Sequence, residues 1–544
     1  MKKDRKLEFV EKENNPFEDL RGKISNYKLS EKINLVATIT SKSNTLRSNH
    51  YHPIQQQKCL LIEGQYVSIY KDLKKPNAPK ITHLINKGDL VITEPMVAHT
   101  MVFRKDSIFL NLVNGEREHK NYGKTHTIPF ELINKKEKEF LFKNYKDKCR
   151  VCGKSEFLRC ISLGYQPFAN NFASSPKDQE KYPLEVNVCK NCRNGQLSIL
   201  PNFKKIFSKY LYKSSISAIF KKHFENAAKK YVKFFNIKKN DFIIDIGSND
   251  GIGLIPFKKM GFKNILGIEP ANNLVKETRK IGIKTINKFF NEKIISDIKS
   301  KAKLIMASNV FAHADNLHEA IKTMKQILKP NGKIIIEVQY FPKMLKNCTF
   351  DNIYHEHVNY WSLYALNKFC NLNDLKIFKV EEIDTHGGSI RVYITKEKKF
   401  KIENSVSKIL NNEKSIGILD DKIFLNYGKK IRDLNNNLKA NLNKLNKKYK
   451  LVAGYGAPAK ASTVINFAGI NKQHIKFIID DNKLKKNKFI PGTKIKIVSK
   501  NNIKKVDCIV VFAWNFYSDI KKNNSDIGKK FISIRDLYKK DLKI

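Results

Sequence analysis

Between about residue 205 and residue 400 four apolar runs, DFIIDIG, ILGIEP, AKLIMASNV and GKIIIEVQY, stand apart with amphipathic stretches between them. Short apolar runs alternating with helix-length segments are the pattern of a parallel sheet covered by helices on both faces. A second α/β unit opens at YKLVAGYGAPAKAS, after a polar stretch in which Leu, Asn and Lys recur at helical spacing. Residues 1–140 carry short runs such as KCLLIEGQYVSIY and GDLVITEP, punctuated by Gly and Pro, which predicts a small all-β barrel. A chain of 544 residues exceeds one core, since single cores rarely grow past about 250 to 300 residues. The expected fold class is multidomain α/β. Its parts are a β barrel over 1–140, a cysteine-bearing module over 147–204, a parallel α/β core over 205–400, a helical linker over 401–449 and a second α/β domain over 450–544.

CRVC and CKNC place Cys149, Cys152, Cys189 and Cys192 in two Cys-x-x-Cys pairs, with Cys160 unpaired between them. Thiolates from two such pairs close a tetrahedral site and leave no position for water, so a structural zinc is expected. DFIIDIGSNDGIG reads as a strand, a tight turn and the start of a helix, the turn carrying Asp245, Gly247, Ser248, Asn249, Asp250 and Gly251. It lacks the full G-x-G-x-x-G fingerprint. Its glycines permit close backbone approach, while its acidic residues disfavour phosphate and suit a ligand with hydroxyls and a positive charge. Glu269, at the end of ILGIEP, could accept both hydroxyls of a ribose or be a solvated loop carboxylate, and Asn309 in ASNVFAH follows a later strand. Together these favour S-adenosylmethionine (SAM) over a nicotinamide cofactor.

The next strand-to-helix turn, in GYGAPAKAS, carries Gly454 and Gly456, with Lys460 a turn later. A helix N-terminus with a lysine suits a pyrophosphate, and Asp480, Asp481 and Asn482 at a later strand end could meet a ribose or base. The competing reading is a degenerate Rossmann domain kept for packing. DNIYHEHVNYWS could be a metal site, a proton-transfer site or neither. It lacks the His-Glu-x-x-His spacing of a zinc-protease helix. If extended, it would put His355 and His357 on one face and Tyr354 and Glu356 on the other.

The net charge is +51, which first suggests nucleic acid or an acidic membrane as partner. The charge is mostly Lys scattered with Asn and Ile, and Arg, which makes bidentate phosphate contacts, is scarce. A solvated lysine surface is the expected reading. No apolar run approaches the roughly 20 residues that span a bilayer, and the start has no signal-like apolar segment. A cytoplasmic protein is expected, with no nucleic acid and no membrane as partner.

CRVC…YPLEVNVCKNC, DIGSNDG, NVFAH, YHEHVNYWS, HGGSIRVY and GYGAPAKAS follow one another in the order seen in the zinc-containing C-methyltransferases of deoxysugar biosynthesis. From about residue 147 to its end the chain resembles that family, which implies that its two α/β parts are Rossmann-like. The resemblance implies methyl transfer from SAM to C3 of a nucleotide-linked 4-keto-deoxysugar, with the C-terminal domain helping to hold the nucleotide sugar. It implies His357 as base, Tyr354 and Glu356 as neighbours that position substrate or proton, and His313 and Tyr212 as lining of the sugar pocket. The chemistry agrees, because a carbon beside a ketone becomes nucleophilic only after losing its α-proton to a positioned base. His355 is expected to be structural.

In the first 140 residues HYHPIQQQKCLLIEG resembles the first cupin motif, with His50 and His52 as metal ligands and Gln57 where a Glu usually stands. GDLVITEPMVAH resembles the second, with His99 as last ligand but its usual Pro and Gly replaced. FEDLRG is similar to cupins that epimerise or isomerise nucleotide sugars. The resemblance leaves open a second divalent metal, a catalytic or an empty cupin, and a homodimer through it. Methylation of a sugar oxygen or nitrogen, and a basic nucleic-acid-binding protein, are the competing functions.

Overall fold

The computed structural model describes residues 8–540 and 542, apart from 12–13, 20–21, 76–77, 116–125, 177–178, 209, 211–212 and 217. It divides into two compact units, one reaching Asp147 and including Ser162–Tyr165, the other comprising Lys148–Ile161 and the chain from Gln166 onward.

The first unit holds two five-stranded sheets and the two-stranded pair Asn14–Asp19 and Gly22–Asn26, antiparallel throughout. Strand Ser107–Val113 shows why: its odd residues are buried and its even ones half-exposed, so each residue step turns a side chain to the other face. Leu61 and Phe109 from one sheet meet Tyr66, Met101 and Phe103 from the other in a shared core.

The second unit holds the two Rossmann-like sheets. In the first, β1 (Ile243–Ile246), β2 (Ile265–Ile268), β3 (Thr285–Ile286), β4 (Ala302–Ser308), β5 (Leu328–Gln339), β6 (Lys376–Ile383) and β7 (Ser389–Thr395) lie in the order 3-2-1-4-5-7-6. Only β7 runs against its neighbours. The near-continuous Ile and Leu of β1, β2 and β4 fit strands buried on both faces. In the second sheet β8 (Val452–Tyr455), β9 (Phe477–Ile479), β10 (Lys496–Val498), β11 (Cys508–Val511) and β12 (Lys530–Ser533) are all parallel, in the order 10-9-8-11-12. In such sheets ligands gather at the carboxyl ends of the strands beside the point where the order reverses, here the ends of β1 and β8.

Helices Asn404–Ser415 and Asp421–Lys448 join the two sheets. The second buries Phe424, Tyr427, Ile431, Leu438, Leu442 and Leu445, spaced as one helical stripe. Its asparagines reach the C-terminal domain: Asn441 Nδ2 donates to the Leu537 and Lys539 carbonyls at 2.9 Å, and Asn446 Nδ2 to the His474 carbonyl at 3.1 Å. Among the described residues no helix is long and apolar enough to cross a membrane.

Candidate active site and metal centres

The two cysteine knuckles are built alike. Cys149 N–H donates to the Lys154 carbonyl and Gly153 N–H to the Cys149 carbonyl; Cys189 N–H donates to the Asn194 carbonyl and Arg193 N–H to the Cys189 carbonyl. These turns bring all four sulfurs within 4.8 Å of one another. The donor set is that of a closed zinc site. Around it, Arg150 is buried and bonds Asp315 through Nε at 2.9 Å, and His318 Nε2 meets the Val151 carbonyl at 2.8 Å. Strand Gly195–Leu197 pairs with Asn359–Tyr360, so the tail of YHEHVNYWS completes the cysteine module's sheet.

At the end of β1 the chain turns through Gly247, whose φ is +65° and where a Cβ would lie 2.6 Å from Val310. Asn249 also takes a positive φ, and Gly251 closes the turn with N–H to the Ser248 carbonyl at 2.9 Å. Glu269, at the end of β2, accepts from Asn249 N–H and Ala271 N–H, each at 2.9 Å. It is buried, which contradicts the solvated-loop reading. Burial pushes the Asp245 carboxyl up to about 8, with the Glu269 charge adding to the effect. Ser248 Oγ and Asp250 Oδ1 are buried without a partner. Asn309, after β4, is held by its N–H to the Glu337 carbonyl at 2.7 Å. Unpaired buried acceptors and a carboxyl short of positive charge fit a ligand that brings hydroxyls and a cation.

The stretch from Asp351 to Trp361 is a short 3-10 turn, a tight turn and a two-residue strand, not the extended chain considered above. His357 N–H bonds the Tyr354 carbonyl at 2.9 Å, which folds the two side chains together, and Tyr354 Oη lies 2.6 Å from His357 Nε2. His357 Nδ1 lies 2.9 Å from the Asn352 carbonyl. A carbonyl only accepts, so Nδ1 carries the proton; in the neutral ring Nε2 then accepts from the Tyr354 hydroxyl. His313 repeats the arrangement, its Nδ1 at 2.6 Å from the Glu356 carbonyl and its ring 5.0 Å from that of His357. Burial lowers His313 to about 4, so it is neutral at pH 7. Glu356 accepts from Asn170 Nδ2 at 2.7 Å and Tyr210 Oη at 3.2 Å, and burial pushes it up to about 7 against those bonds. His355 points the other way, to the Pro183 carbonyl, among Phe168 and Tyr182, as a structural residue would. Tyr212 lies outside the described residues; Tyr210, from the same KYLYKSSIS stretch, is the tyrosine that meets Glu356.

In the C-terminal domain Gly454 sits within β8, not in the turn, and a Cβ there would meet Ile478 and Phe512 within 3 Å. Packing accounts for that glycine. Gly456 is in the turn, at φ +84°, with its N–H on the Ile479 carbonyl. Asp480 caps Ala457 N–H at 2.6 Å and Asn482 N–H at 2.8 Å, while Tyr455 Oη donates to Asp481. Lys460, in the first turn of helix Ala459–Ala468, is half-buried, and its Nζ is buried without a hydrogen-bond partner, 4.9 Å from the Trp514 ring.

In the first unit His50 and His99 face each other across paired strands, His52 follows on, and their ligating nitrogens lie within 4.8 Å of one another. Nε2 of His50 and His99 and Oε1 of Gln57 are buried without a hydrogen-bond partner. Val97 and His126 carbonyls hold Nδ1 of His99 and His52, at 3.1 and 3.2 Å.

Residues 149–207 match a family of zinc binding domains, residues 220–380 a family of methyltransferase domains, and residues 384–534 the C-methyltransferase C-terminal domain family. C-methyltransferase NovU of Streptomyces niveus is 29% identical over 398 residues, which span 71% of this chain and 94% of that protein. This chain is a SAM-dependent C-methyltransferase. SAM and zinc are the cofactors of the methyltransferase. Among solved structures, a SAM-dependent methyltransferase from Clostridium acetobutylicum matches with TM-score 0.27 and 14% identity over 32% of this chain and 91% of that one. A mutant of the 3,4-ketoisomerase QdtA from Thermoanaerobacterium thermosaccharolyticum matches with TM-score 0.19 and 16% identity over 21% and 85%. The sequence reading of the methyltransferase missed Asn170 and Tyr210, because a lone amide or phenol far along the chain gives no local signal that it meets Glu356.

Proposed function

We propose that the methyltransferase acts at C3, the carbon beside the ketone, of a nucleotide-linked 4-keto-deoxysugar, through base-catalysed enolate formation. The observation that carries this is the Tyr354–His357 contact, because methylation of an oxygen or nitrogen calls for no carbon base. The α-proton passes to Tyr354 Oη as the phenol proton passes to His357 Nε2, whose Nδ1–H stays on the Asn352 carbonyl. Glu356 and His313 orient the pocket. Asp245, Gly247, Ser248, Asn249, Asp250, Gly251, Glu269 and Asn309 would hold SAM, which would supply the methyl group. Gly456, Lys460, Asp481 and Asn482 hold the nucleotide end. A nucleotide-sugar substrate fits a cytoplasmic protein and calls for neither nucleic acid nor membrane. Mass and NMR analysis of products from a panel of nucleotide keto-sugars and their reduced alcohols tests the reading; methylation of the alcohols on oxygen would overturn it.

The Asp245 assignment gives a pH dependence with a definite sign. Below about pH 8 the buried carboxyl of the empty site is protonated, and a cationic ligand favours its ionised form. SAM binding should therefore release a proton, and affinity should rise with pH until it levels above about 8. Calorimetry in buffers of different ionisation enthalpy measures this; proton uptake would contradict it.

We read the first unit as a sugar-directed cupin with its own divalent metal. The grouping of His50, His52 and His99, with the unpartnered Nε2 atoms of His50 and His99 and the Gln57 Oε1, supports this, these being neutral donors suited to a first-row divalent ion. His50→Ala with His99→Ala should lower metal content to that of the cysteine site alone and leave methyl transfer largely intact. Unchanged metal content would remove the second metal from the account, and collapse of methylation in the folded variant would make the first unit part of the methyltransferase site.

A further inference from the structure

We infer that the C-terminal domain, beyond holding a nucleotide, sets the tautomer of the proposed base His357 through Thr463 and Trp514. The carbonyl that fixes the tautomer belongs to Asn352, which accepts from His357 Nδ1 at 2.9 Å. Each chain neighbour of Asn352 is held by the C-terminal domain. Trp514 Nε1, after β11, donates to Asp351 Oδ2 at 2.5 Å, and Thr463 Oγ1, on helix Ala459–Ala468, donates to the Ile353 carbonyl at 2.9 Å. Asp351 and Asn352 are buried, so no water competes freely for these bonds and each is stronger than at the surface. The Trp514 indole is in turn backed by the Lys460 ammonium at 4.9 Å and the Arg535 guanidinium at 5.5 Å. Arg535 also holds the start of the same segment, donating to the Cys348 carbonyl at 3.0 Å.

One anchor on the Asp351 carboxylate and one on the Ile353 carbonyl restrain the chain on either side of the Asn352 carbonyl, which keeps that carbonyl aimed at Nδ1. Neutral histidine free in solution prefers to carry its proton on Nε2. Without the aimed carbonyl His357 would drift toward that form, in which Nε2 can no longer accept from Tyr354. Thr463 and Trp514 touch neither reacting atom and are positioning residues.

The inference rests on the proposed role of His357, so the test separates the two. Nitrogen-15 spectra of histidine-labelled protein, with the His357 signals assigned by difference against His357→Gln, read the tautomer without any substrate. Wild type should show a protonated Nδ1 and an unprotonated Nε2. Thr463→Val and Trp514→Phe should shift the population toward the Nε2–H form, and Thr463→Ser, which keeps the hydroxyl, should restore wild-type spectra. Turnover at saturating substrate should fall about 10-fold in Thr463→Val, with affinity for SAM unchanged, since misaligning a proton-transfer group removes part of its contribution. A wild-type tautomer and rate in folded Thr463→Val and Trp514→Phe would overturn the inference, as would equal losses in Thr463→Val and Thr463→Ser. An unaltered rate in His357→Ala would instead overturn the proposed base, whatever the spectra show.

Discussion

His357→Ala should lose methyl transfer by on the order of 10²-fold or more while still binding SAM, since a positioned base contributes that much and the SAM turn lies on other strands. Tyr354→Phe should fall nearly as far, because the phenol stands on Nε2 at 2.6 Å and removing its oxygen breaks the proton path. Glu356→Gln should be milder, since the amide keeps an oxygen for Asn170 or Tyr210. Rates under single-turnover conditions, with SAM affinity by calorimetry, separate binding from chemistry. A Tyr354→Phe enzyme at wild-type rate would mean that His357 reaches the substrate directly.

Cys152→Ser should lose zinc and, with it, methyl transfer. Removing one thiolate opens a closed site whose metal contributes directly to folding of the module. The consequence reaches the catalytic turn by three routes: strand Gly195–Leu197 pairs with Asn359–Tyr360, Arg150 Nη1 bonds the Val358 carbonyl at 3.3 Å, and Asn170 holds Glu356. Metal analysis and turnover of the purified variant check both parts. Full zinc retention would contradict the metal site, and zinc loss with full activity would contradict its link to the turn.

What could be read in the sequence was what is local. The apolar runs of β1, β2 and β4, the glycine turn after β1 and the paired cysteines each carry their signal within a few residues, because strand burial, positive φ and knuckle turns are short-range constraints. The tight turn in YHEHVNYWS was not legible, since His357 N–H to the Tyr354 carbonyl is stabilised by packing that alternation does not encode. Gly454 looked like a turn residue because it precedes one, yet its reason is Phe512 across the sheet. Trp514, Thr463 and Asn170 act on the site from 163, 110 and 186 residues away in sequence, counted to Asp351, Ile353 and Glu356, and only the fold brings them there.

Deprotonation beside a ketone can be seen without methyl transfer, which makes solvent exchange the most direct test of enolate chemistry at this site. Wild-type enzyme, given a nucleotide-linked 4-keto-deoxysugar in deuterium oxide with S-adenosylhomocysteine in place of SAM, should exchange the C3 proton, as followed by proton NMR. His357→Ala should not. Exchange in the variant at the wild-type rate would contradict the account and move the search for the base to His313.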